Sequence, residues 1–125
     1  IITATFNAAA TLGRLLDSLA AQSYTNIEVL VQDGGSTDNT LAILESYRDR
    51  LPVLAVASER DSGIYNAWNK ALQRRQGEWV LFLGADDALA APDVLEQSAR
   101  SAIQNWIDKR KDSKENEDVQ KFLNK

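Results

Sequence analysis

Four short segments of this sequence combine carboxylates, hydroxyls, amides and glycines, and each follows an apolar run. The segments are TFN at residues 5–7, DGGS at 33–36, ERDSG at 59–63 and GADD at 84–87. The sequence contains no His and no Cys, which excludes imidazole bases, thiolate nucleophiles, disulfide bonds and nitrogen or sulfur metal ligands. Catalysis or metal binding would have to use carboxylates, hydroxyls and amides, so the sequence favours Mg²⁺ or Mn²⁺ as the cofactor if a metal is bound.

Length and composition indicate a single globular domain. The chain has 125 residues, of which 44% are hydrophobic and 26% charged, as in ordinary globular proteins. Its net charge of −4 disfavours a nucleic-acid partner, so a phosphorylated ligand would need an accompanying cation. No apolar run approaches the roughly 20 residues of a membrane span, so we expect no membrane segment and a cytoplasmic location. Because residue 1 is Ile and lies inside an apolar segment, we also expect a fragment of a longer protein.

The spacing of apolar residues predicts strands and helices in alternation. Leucines at positions i, i+3, i+4 and i+7 predict a helix over residues 12–22 that is capped by Thr11. Further helices are predicted around residues 41–47, over 63–76 and from Pro92 onward. Short runs of branched and aromatic residues predict strands over residues 1–6, 27–32, 53–57 and 79–83. Three aromatic side chains are predicted to pack between helix and sheet: Tyr65, Trp68 and Trp79.

Strands separated by single helices are typical of βαβ units. The sequence therefore predicts an α/β fold, a Rossmann-like parallel sheet with helices on both faces, followed by C-terminal helices. In such sheets ligands bind beyond the carboxyl ends of the strands. All four polar segments fall at those ends, so we expect their side chains to converge on one edge of the sheet. The sequence has no GxGxxG after the first strand and no Walker lysine motif, which disfavours a dinucleotide oxidoreductase and a P-loop ATPase.

The composition changes late in the chain. Residues 1–100 carry 8 basic and 13 acidic side chains with one lysine, whereas residues 101–125 carry 6 and 5 with five lysines. The end of the chain is therefore predicted to be a charged helical tail, whose origin the sequence leaves open.

The four segments, in this order and spacing, resemble a known family. ITATFN, VQDGGSTDNT, ERDSGIYNAWNKAL and GEWVLFLGADD are similar to the nucleotide-sugar-binding part of family 2 glycosyltransferases, which have the GT-A fold. The resemblance covers residues 1–97, so we divide the chain into this region and a charged helical tail over residues 98–125. It implies transfer of a sugar, with inversion, from a nucleoside-diphosphate donor to an acceptor hydroxyl, and a UDP-sugar is the donor we expect. It also implies a divalent cation, Mg²⁺ or Mn²⁺, and a role in polysaccharide biosynthesis.

The resemblance also assigns roles to single residues. Asp33 would accept a hydrogen bond from the N–H of the donor's base, Asp86 would hold a ribose hydroxyl, and Asp87 would bind the cation. The complete donor-binding set that it implies is Thr5, Phe6, Asn7, Asp33, Asp61 and Asp86, with Asp87 as metal ligand. This chain has Asp-Asp where the family also has Asp-x-Asp, which leaves the division of roles between these two carboxylates open.

Structural alternatives stand beside these roles. An Asp before Gly-Gly commonly begins a turn, and Asp61 could cap the helix that follows. The pair of carboxylates after the fourth strand could likewise cap a helix. Thr5, Phe6 and Asn7 are as well suited to packing and turn formation as to ligand contact.

No catalytic base is assigned. In the family this residue lies well downstream of the metal motif, and Glu117-Asp118 lies in a polar helical pattern unlike such a site. We therefore expect this chain to bind donor and to turn over poorly by itself, with the acceptor unknown. Two other interpretations remain: a non-catalytic nucleotide-binding module, and a protein-interaction domain that keeps only the scaffold. An exposed sheet edge would also permit a homo-oligomer.

Overall fold

The computed structural model describes residues 1–109 and shows strands and helices in strict alternation. The elements are β1 (Ile2–Thr5), α1 (Ala9–Ala20), β2 (Val29–Asp33), α2 (Thr40–Ser46), β3 (Leu54–Ser58), α3 (Ile64–Arg74), β4 (Phe82–Gly84) and α4 (Val94–Lys109). The predicted alternation is confirmed. Glu117 and Asp118 lie outside the described residues, as does most of the predicted tail.

The strands form one parallel sheet in the order β3-β2-β1-β4. All three pairings are parallel, and the register sets Thr5 beside Asp33 and Asp33 beside Ser58. On the other side of β1, Ala4 is paired with Gly84. The carboxyl ends of the four strands therefore share one edge of the sheet, as expected for an α/β fold.

Helices cover both faces of the sheet, as the sequence predicts. On one face, buried leucines of α1 and Leu44 of α2 pack with Val29 and Val31 of β2, and Leu95 of α4 joins them. On the other face, Ala71 of α3 packs with Ile2 and Leu30. The strands alternate their side chains between these two faces because of the pleat. We call them the α1/α2 face and the α3 face.

The predicted cap of α1 is wrong, because the helix begins earlier than the leucine spacing suggests. Its N-cap is Ala8, which makes no side-chain capping bond. The N–H groups at this helix end find partners elsewhere: Ala8 N–H donates to Thr40 Oγ1 at 2.9 Å, and Ala9 N–H to Asp38 Oδ2 at 3.2 Å. Thr11 Oγ1 instead donates to the carbonyl oxygen of Ala85 at 3.1 Å. Tertiary contacts therefore replace a local cap, and they connect α1 to the loops after β2 and β4.

Two of the three aromatic residues predicted for the core are exposed. Tyr65 is 74% exposed because the first turn of α3 precedes the residues that contact the sheet. Trp79 is 55% exposed and lies outside β4, which begins only at Phe82 where the register pairs it with Ile2. Trp68 does pack on the α3 face, with its ring 4.7 Å from that of Phe82.

Two further findings concern the helices of the described residues. None of the helices within residues 1–109 has the length and apolar character needed to cross a membrane. The helix α4 runs across residue 97 without a break, so the predicted division at that residue falls inside a helix and stays a prediction.

Candidate functional site

Asp33, the last residue of β2, is fully buried and completely enclosed by hydrogen-bond donors. Its Oδ1 accepts the hydroxyls of Ser36 at 2.6 Å and Thr5 at 2.7 Å. Its Oδ2 accepts the hydroxyl of Ser58 at 2.9 Å and the backbone N–H groups of Ser36 at 2.8 Å and Gly35 at 3.1 Å. Five donors occupy the acceptor sites of one carboxylate, and its exposed fraction is 0%. This carboxylate therefore joins the ends of β1, β2 and β3.

The hydrogen bonds also set the charge state of Asp33. Burial raises the pKa of this carboxyl, but the hydrogen bonds from Ser36, Thr5 and Ser58 lower it by more, so its pKa lies below the ordinary value. Asp33 is therefore a buried anion that the protein itself solvates.

Asn7 joins the loop after β1 to the loop after β2. Its backbone is left-handed, with φ of 49°, a conformation that Asn tolerates better than most residues. Its Oδ1 accepts the backbone N–H of Thr37 at 2.8 Å and of Asp38 at 3.3 Å, and its own N–H donates to Ser36 Oγ at 2.8 Å. The adjacent Phe6 is 65% exposed at the end of β1. The two loops thus form one hydrogen-bonded unit with an aromatic ring in solvent.

Asp61 lies beside the end of β2, against Gly34. A Cβ atom built on Gly34 would be 3.0 Å from Asp61 Oδ2 and 3.4 Å from Oδ1. Asp61 Oδ1 accepts the backbone N–H of Gly63 at 3.1 Å, just before α3 begins. Position 34 therefore accommodates this carboxylate because glycine has no side chain there.

Asp86 and Asp87 lie over Gly84 in the same way, at the end of β4. A Cβ atom on Gly84 would be 2.9 Å from Asp86 Oδ1 and 3.1 Å from Asp87 Oδ2. The backbone N–H of Gly84 donates to Asp87 Oδ2 at 2.6 Å, and Asp87 N–H donates back to Gly84 O at 3.0 Å. A tight turn thus folds both carboxylates onto the last residue of the strand.

These carboxylates lie on different faces of the sheet. Asp33 alternates with Gln32, and the Gln32 side chain accepts a hydrogen bond from Arg74 of α3 at 3.2 Å, so Asp33 points to the α1/α2 face. Gly84 is in register with Ala4, and Ala4 with Gln32, so the Cβ position of Gly84 is on the α3 face. Gly34 follows Gln32 by two residues and continues the same alternation. The pleat therefore separates the enclosed Asp33 from the three carboxylates that lie over the two glycines.

The structure brings all seven predicted site residues to the carboxyl edge of the sheet, although it gives them different surroundings. Thr5, Asn7 and Asp33 make hydrogen bonds within the loops. Phe6 is exposed, and Asp61, Asp86 and Asp87 border the α3 face. Sequence reasoning missed Ser58, which donates to Asp33. The sequence could have identified Ser58, because it is a hydroxyl residue at the carboxyl end of a predicted strand.

A cavity of about 640 Å³ lies elsewhere, at the amino edge of the sheet. Its walls include Ile1, Ile27, Leu81 and residues of α4, and none of the predicted site residues lines it. This cavity and the polar side chains therefore lie at opposite edges of the sheet. We place the candidate site at the carboxyl edge, where the side chains that can do chemistry lie.

The donor atoms at the end of β4 suit a hard divalent cation. Among residues 1–109 no three acidic side chains are grouped closely enough to hold a metal ion by themselves. Asp86 and Asp87 supply adjacent carboxylates, and Mg²⁺ and Mn²⁺ sites commonly combine one or two carboxylates with substrate phosphates and water. The residues present fit a cation that binds together with a phosphorylated ligand.

Open parallel α/β sheets bind their ligands at the carboxyl edge, which is the edge where this chain has its polar loops. Residues 1–109 match the model of the family described as Glycosyl transferase family 2. The match covers most of the chain, which therefore belongs to this family and has the α/β fold of its GT-A members, as the sequence segments indicate.

Similar proteins extend this finding. A PGL/p-HBAD biosynthesis glycosyltransferase of Mycobacterium tuberculosis is 42% identical over 100 residues, which are 79% of this chain and 39% of that protein. A crystal structure of S. aureus TarS 1-349 in complex with UDP-GlcNAc has a TM-score of 0.74 at 38% identity, covering 86% of this chain and 30% of that one. The mannosyltransferase PcManGT from Pyrobaculum calidifontis, in complex with GDP-Man and Mn²⁺, has a TM-score of 0.73 at 31% identity, covering 78% and 30%. This chain spans less than two-fifths of the length of each of them.

Proposed function

We propose that this chain is the donor-binding part of an inverting glycosyltransferase that transfers a sugar from a nucleoside-diphosphate donor, a UDP-sugar, to an acceptor hydroxyl. The observation that carries the proposal is the arrangement at the carboxyl edge: carboxylates border the ends of β2 and β4, and the exposed Phe6 follows β1 between them. Neighbouring strands lie about 4.8 Å apart. The two acidic positions are therefore about 10 Å apart, a separation that suits the base and the diphosphate of one nucleotide.

Different residues would bind different parts of the ligand. Asp87 and Asp86 would hold the cation and a ribose hydroxyl, which places the diphosphate near the end of β4. Phe6 would lie against the nucleoside, since an exposed aromatic ring offers a stacking surface to any base. Thr5, Asn7 and Asp33 would hold the loops that present these groups.

The negative charge of the leaving group determines which catalytic groups the reaction needs. Departure of a nucleoside diphosphate leaves negative charge on the phosphate oxygens, and a divalent cation bound there supplies Lewis-acid stabilisation of that charge. Asp86 and Asp87 would orient the diphosphate end of the donor through the groups that they hold. The proton of the acceptor hydroxyl must be taken up by a base within hydrogen-bonding reach. We assign this base to a part of the full-length enzyme beyond the described residues.

The proposal also includes three expectations from the sequence analysis. The divalent cation is Mg²⁺ or Mn²⁺, the location is cytoplasmic, and the product belongs to polysaccharide biosynthesis. A sugar-transfer assay on the full-length protein tests the reaction: transfer to an acceptor hydroxyl supports the proposal, and donor binding without transfer contradicts it.

Calorimetry with UDP and Mn²⁺ tests the donor site directly. We expect the 125-residue chain to bind UDP with Mn²⁺ and to lose at least tenfold in affinity when EDTA removes the cation. Asp87→Asn should weaken binding at least tenfold, because it removes one charge that faces the cation while it keeps an oxygen for the Gly84 N–H.

The matched control is Asp49→Asn. Asp49 is exposed and precedes β3, at the other edge of the sheet, and its replacement changes the net charge equally. We expect it to alter UDP affinity less than about twofold. Equal affinities for wild type and Asp87→Asn, or binding that ignores EDTA, would contradict the proposed cation site.

A second prediction concerns the glycine beneath the carboxylates. In Gly84→Ala the new Cβ would be 2.9 Å from Asp86 Oδ1 and 3.1 Å from Asp87 Oδ2, so both side chains must move. Because these atoms are the ends of side chains and not backbone, we expect the melting temperature to change little and the affinity for UDP with Mn²⁺ to fall at least tenfold. Gly77→Ala is the control, since its Cβ would meet its nearest neighbour at an ordinary 3.8 Å. Unchanged affinity in Gly84→Ala would show that the position of these carboxylates does not matter.

A further inference from the structure

The loop after β3 contains a carboxylate with one unused oxygen at the base end of the proposed site. We propose that Asp61 recognises the N–H edge of the donor's nucleobase, and that Asp33 is a positioning residue that does not contact the base. This inference rests on the proposed function, since it names the group that selects the nucleotide.

Asp33 lacks an acceptor for a ligand. Each of its carboxylate oxygens accepts at least two hydrogen bonds from the protein, and the side chain has no exposed surface. A carboxylate offers about four acceptor positions in total. A base N–H would therefore have to displace a donor that the fold already supplies, and the displaced donor would be left unpaired in a buried place.

Asp61, unlike Asp33, has a carboxylate oxygen that can accept a hydrogen bond from a ligand. It is only partly buried, and one oxygen, Oδ1, accepts the N–H of Gly63. The other oxygen, Oδ2, lies 3.0 Å from the Cβ position of Gly34 and accepts no hydrogen bond from residues 1–109. The neighbouring Glu59 differs, because its carboxylate pairs with Lys70 at 3.3 Å and accepts a hydrogen bond from Gln32 at 3.4 Å.

The position of Asp61 matches the base rather than the diphosphate. The two adjacent carboxylates at the end of β4 repel a bare diphosphate and suit it only through a cation. The diphosphate therefore belongs at β4, and the base belongs on the far side of β1, where the loop after β3 turns back over Gly34. Asp61 and the β4 pair both lie over glycines on the α3 face, so one ligand at that edge can contact both.

A carboxylate in this position would select among bases by hydrogen-bond polarity. It only accepts hydrogen bonds. Uracil presents N3–H on its pairing edge, and guanine presents N1–H and an amino group. Cytosine and adenine each present an unprotonated ring nitrogen, which would face the carboxylate as acceptor against acceptor. We expect the wild-type chain to bind UDP at least tenfold more tightly than CDP in the presence of Mn²⁺.

The test is Asp61→Asn, measured with UDP and CDP by calorimetry with Mn²⁺. The amide keeps an oxygen for the Gly63 N–H, so the fold is preserved, while its NH₂ can donate to N3 of cytosine. We expect UDP affinity to fall about tenfold, CDP affinity to hold or rise, and the ratio of the two to fall at least tenfold. Asp49→Asn serves as the charge-matched control and should leave the ratio unchanged.

The outcomes separate this inference from the proposed function. If the wild-type chain binds UDP with Mn²⁺ but Asp61→Asn leaves the UDP to CDP ratio unchanged, the assignment of Asp61 is overturned and the donor site stands. The assignment is likewise overturned if Asp61→Asn weakens the binding of both nucleotides equally. If the wild-type chain binds neither nucleotide with Mn²⁺, the proposed function fails and this inference fails with it.

Discussion

Asp33→Asn is expected to lower the free energy of unfolding by about 3–5 kcal/mol, a large share of the roughly 5–15 kcal/mol that holds a small domain together. The replacement has the same shape, but its NH₂ group is a donor. At Oδ2 it would face two backbone N–H groups and the hydroxyl of Ser58, and at Oδ1 it would face the hydroxyls of Ser36 and Thr5. Either orientation of the amide therefore leaves buried donors unpaired.

The pH dependence of stability gives this prediction a second measurement. The pKa of Asp33 lies below its ordinary value of 3.8, so the folded state binds this proton less readily than the unfolded state. The stabilisation is therefore fully present above pH 3.8 and is lost as the pH falls through the lower, folded-state pKa. We expect urea unfolding of the wild type to show a steeper loss of stability below pH 3.8 than that of Asp33→Asn.

The control for both measurements is Asp49→Asn, whose exposed carboxylate should leave stability within about 0.5 kcal/mol of wild type. If Asp33→Asn unfolds at the same urea concentration as this control, Asp33 does not hold the loops together. If the two pH profiles run parallel below pH 3.8, the enclosed carboxylate is not the source of the acid sensitivity.

The division between Asp33 and the other carboxylates is the main result at the site. The α1/α2 face of the carboxyl edge is closed by hydrogen bonds between loops, whereas the α3 face presents side chains over two glycines. The closed side holds the ends of β1, β2 and β3 in register, and the open side is where we propose that the ligand binds. Binding sites are more precise when rigid elements hold their side chains in place. The hydrogen-bonded α1/α2 face provides such a support behind the accessible α3 face.

The fold could be predicted from the sequence because local and long-range patterns agree. Leucines of α1 recur on one helical face and are buried against β2, and short apolar runs recur between helices. Alternation of strand and helix then leaves a parallel sheet as the consistent topology. The errors fall at element ends, where a cap such as Thr11 competes with tertiary contacts that no local pattern encodes.

The sequence could predict which residues lie at the candidate site, but it could not predict their burial or their hydrogen-bond partners. Residues at the carboxyl ends of parallel strands must lie at one edge, which is why the sequence could place Asp33, Asp61 and Asp87 there. Whether a carboxylate is enclosed or available depends on which face the pleat gives it and on which hydroxyls lie in register beside it. Ser58 reaches Asp33 only through the β2–β3 register, and that register is a property of the assembled sheet.

Leu16→Ala is expected to lower the free energy of unfolding by about 2–5 kcal/mol while the folded protein keeps its affinity for UDP with Mn²⁺. Leu16 has an exposed fraction of 0% and packs in the cluster between α1 and β2. Its truncation removes buried methyl groups and leaves a cavity in a tightly packed place. The cluster lies on the α1/α2 face, behind the edge where the ligand is proposed to bind.

Urea unfolding and calorimetry at low temperature would measure these two quantities, with Val53→Ala as the matched control. Val53 is 51% exposed, so its truncation should cost less than about 0.5 kcal/mol. Gly84→Ala is expected to lose affinity at nearly constant stability, and Leu16→Ala is expected to lose stability at nearly constant affinity. The two variants should therefore show opposite effects, one on the site and one on the scaffold. A Leu16→Ala protein that stays folded yet loses UDP affinity tenfold would contradict this separation, since the packing of α1 would then control the open face of the sheet as well as its closed one.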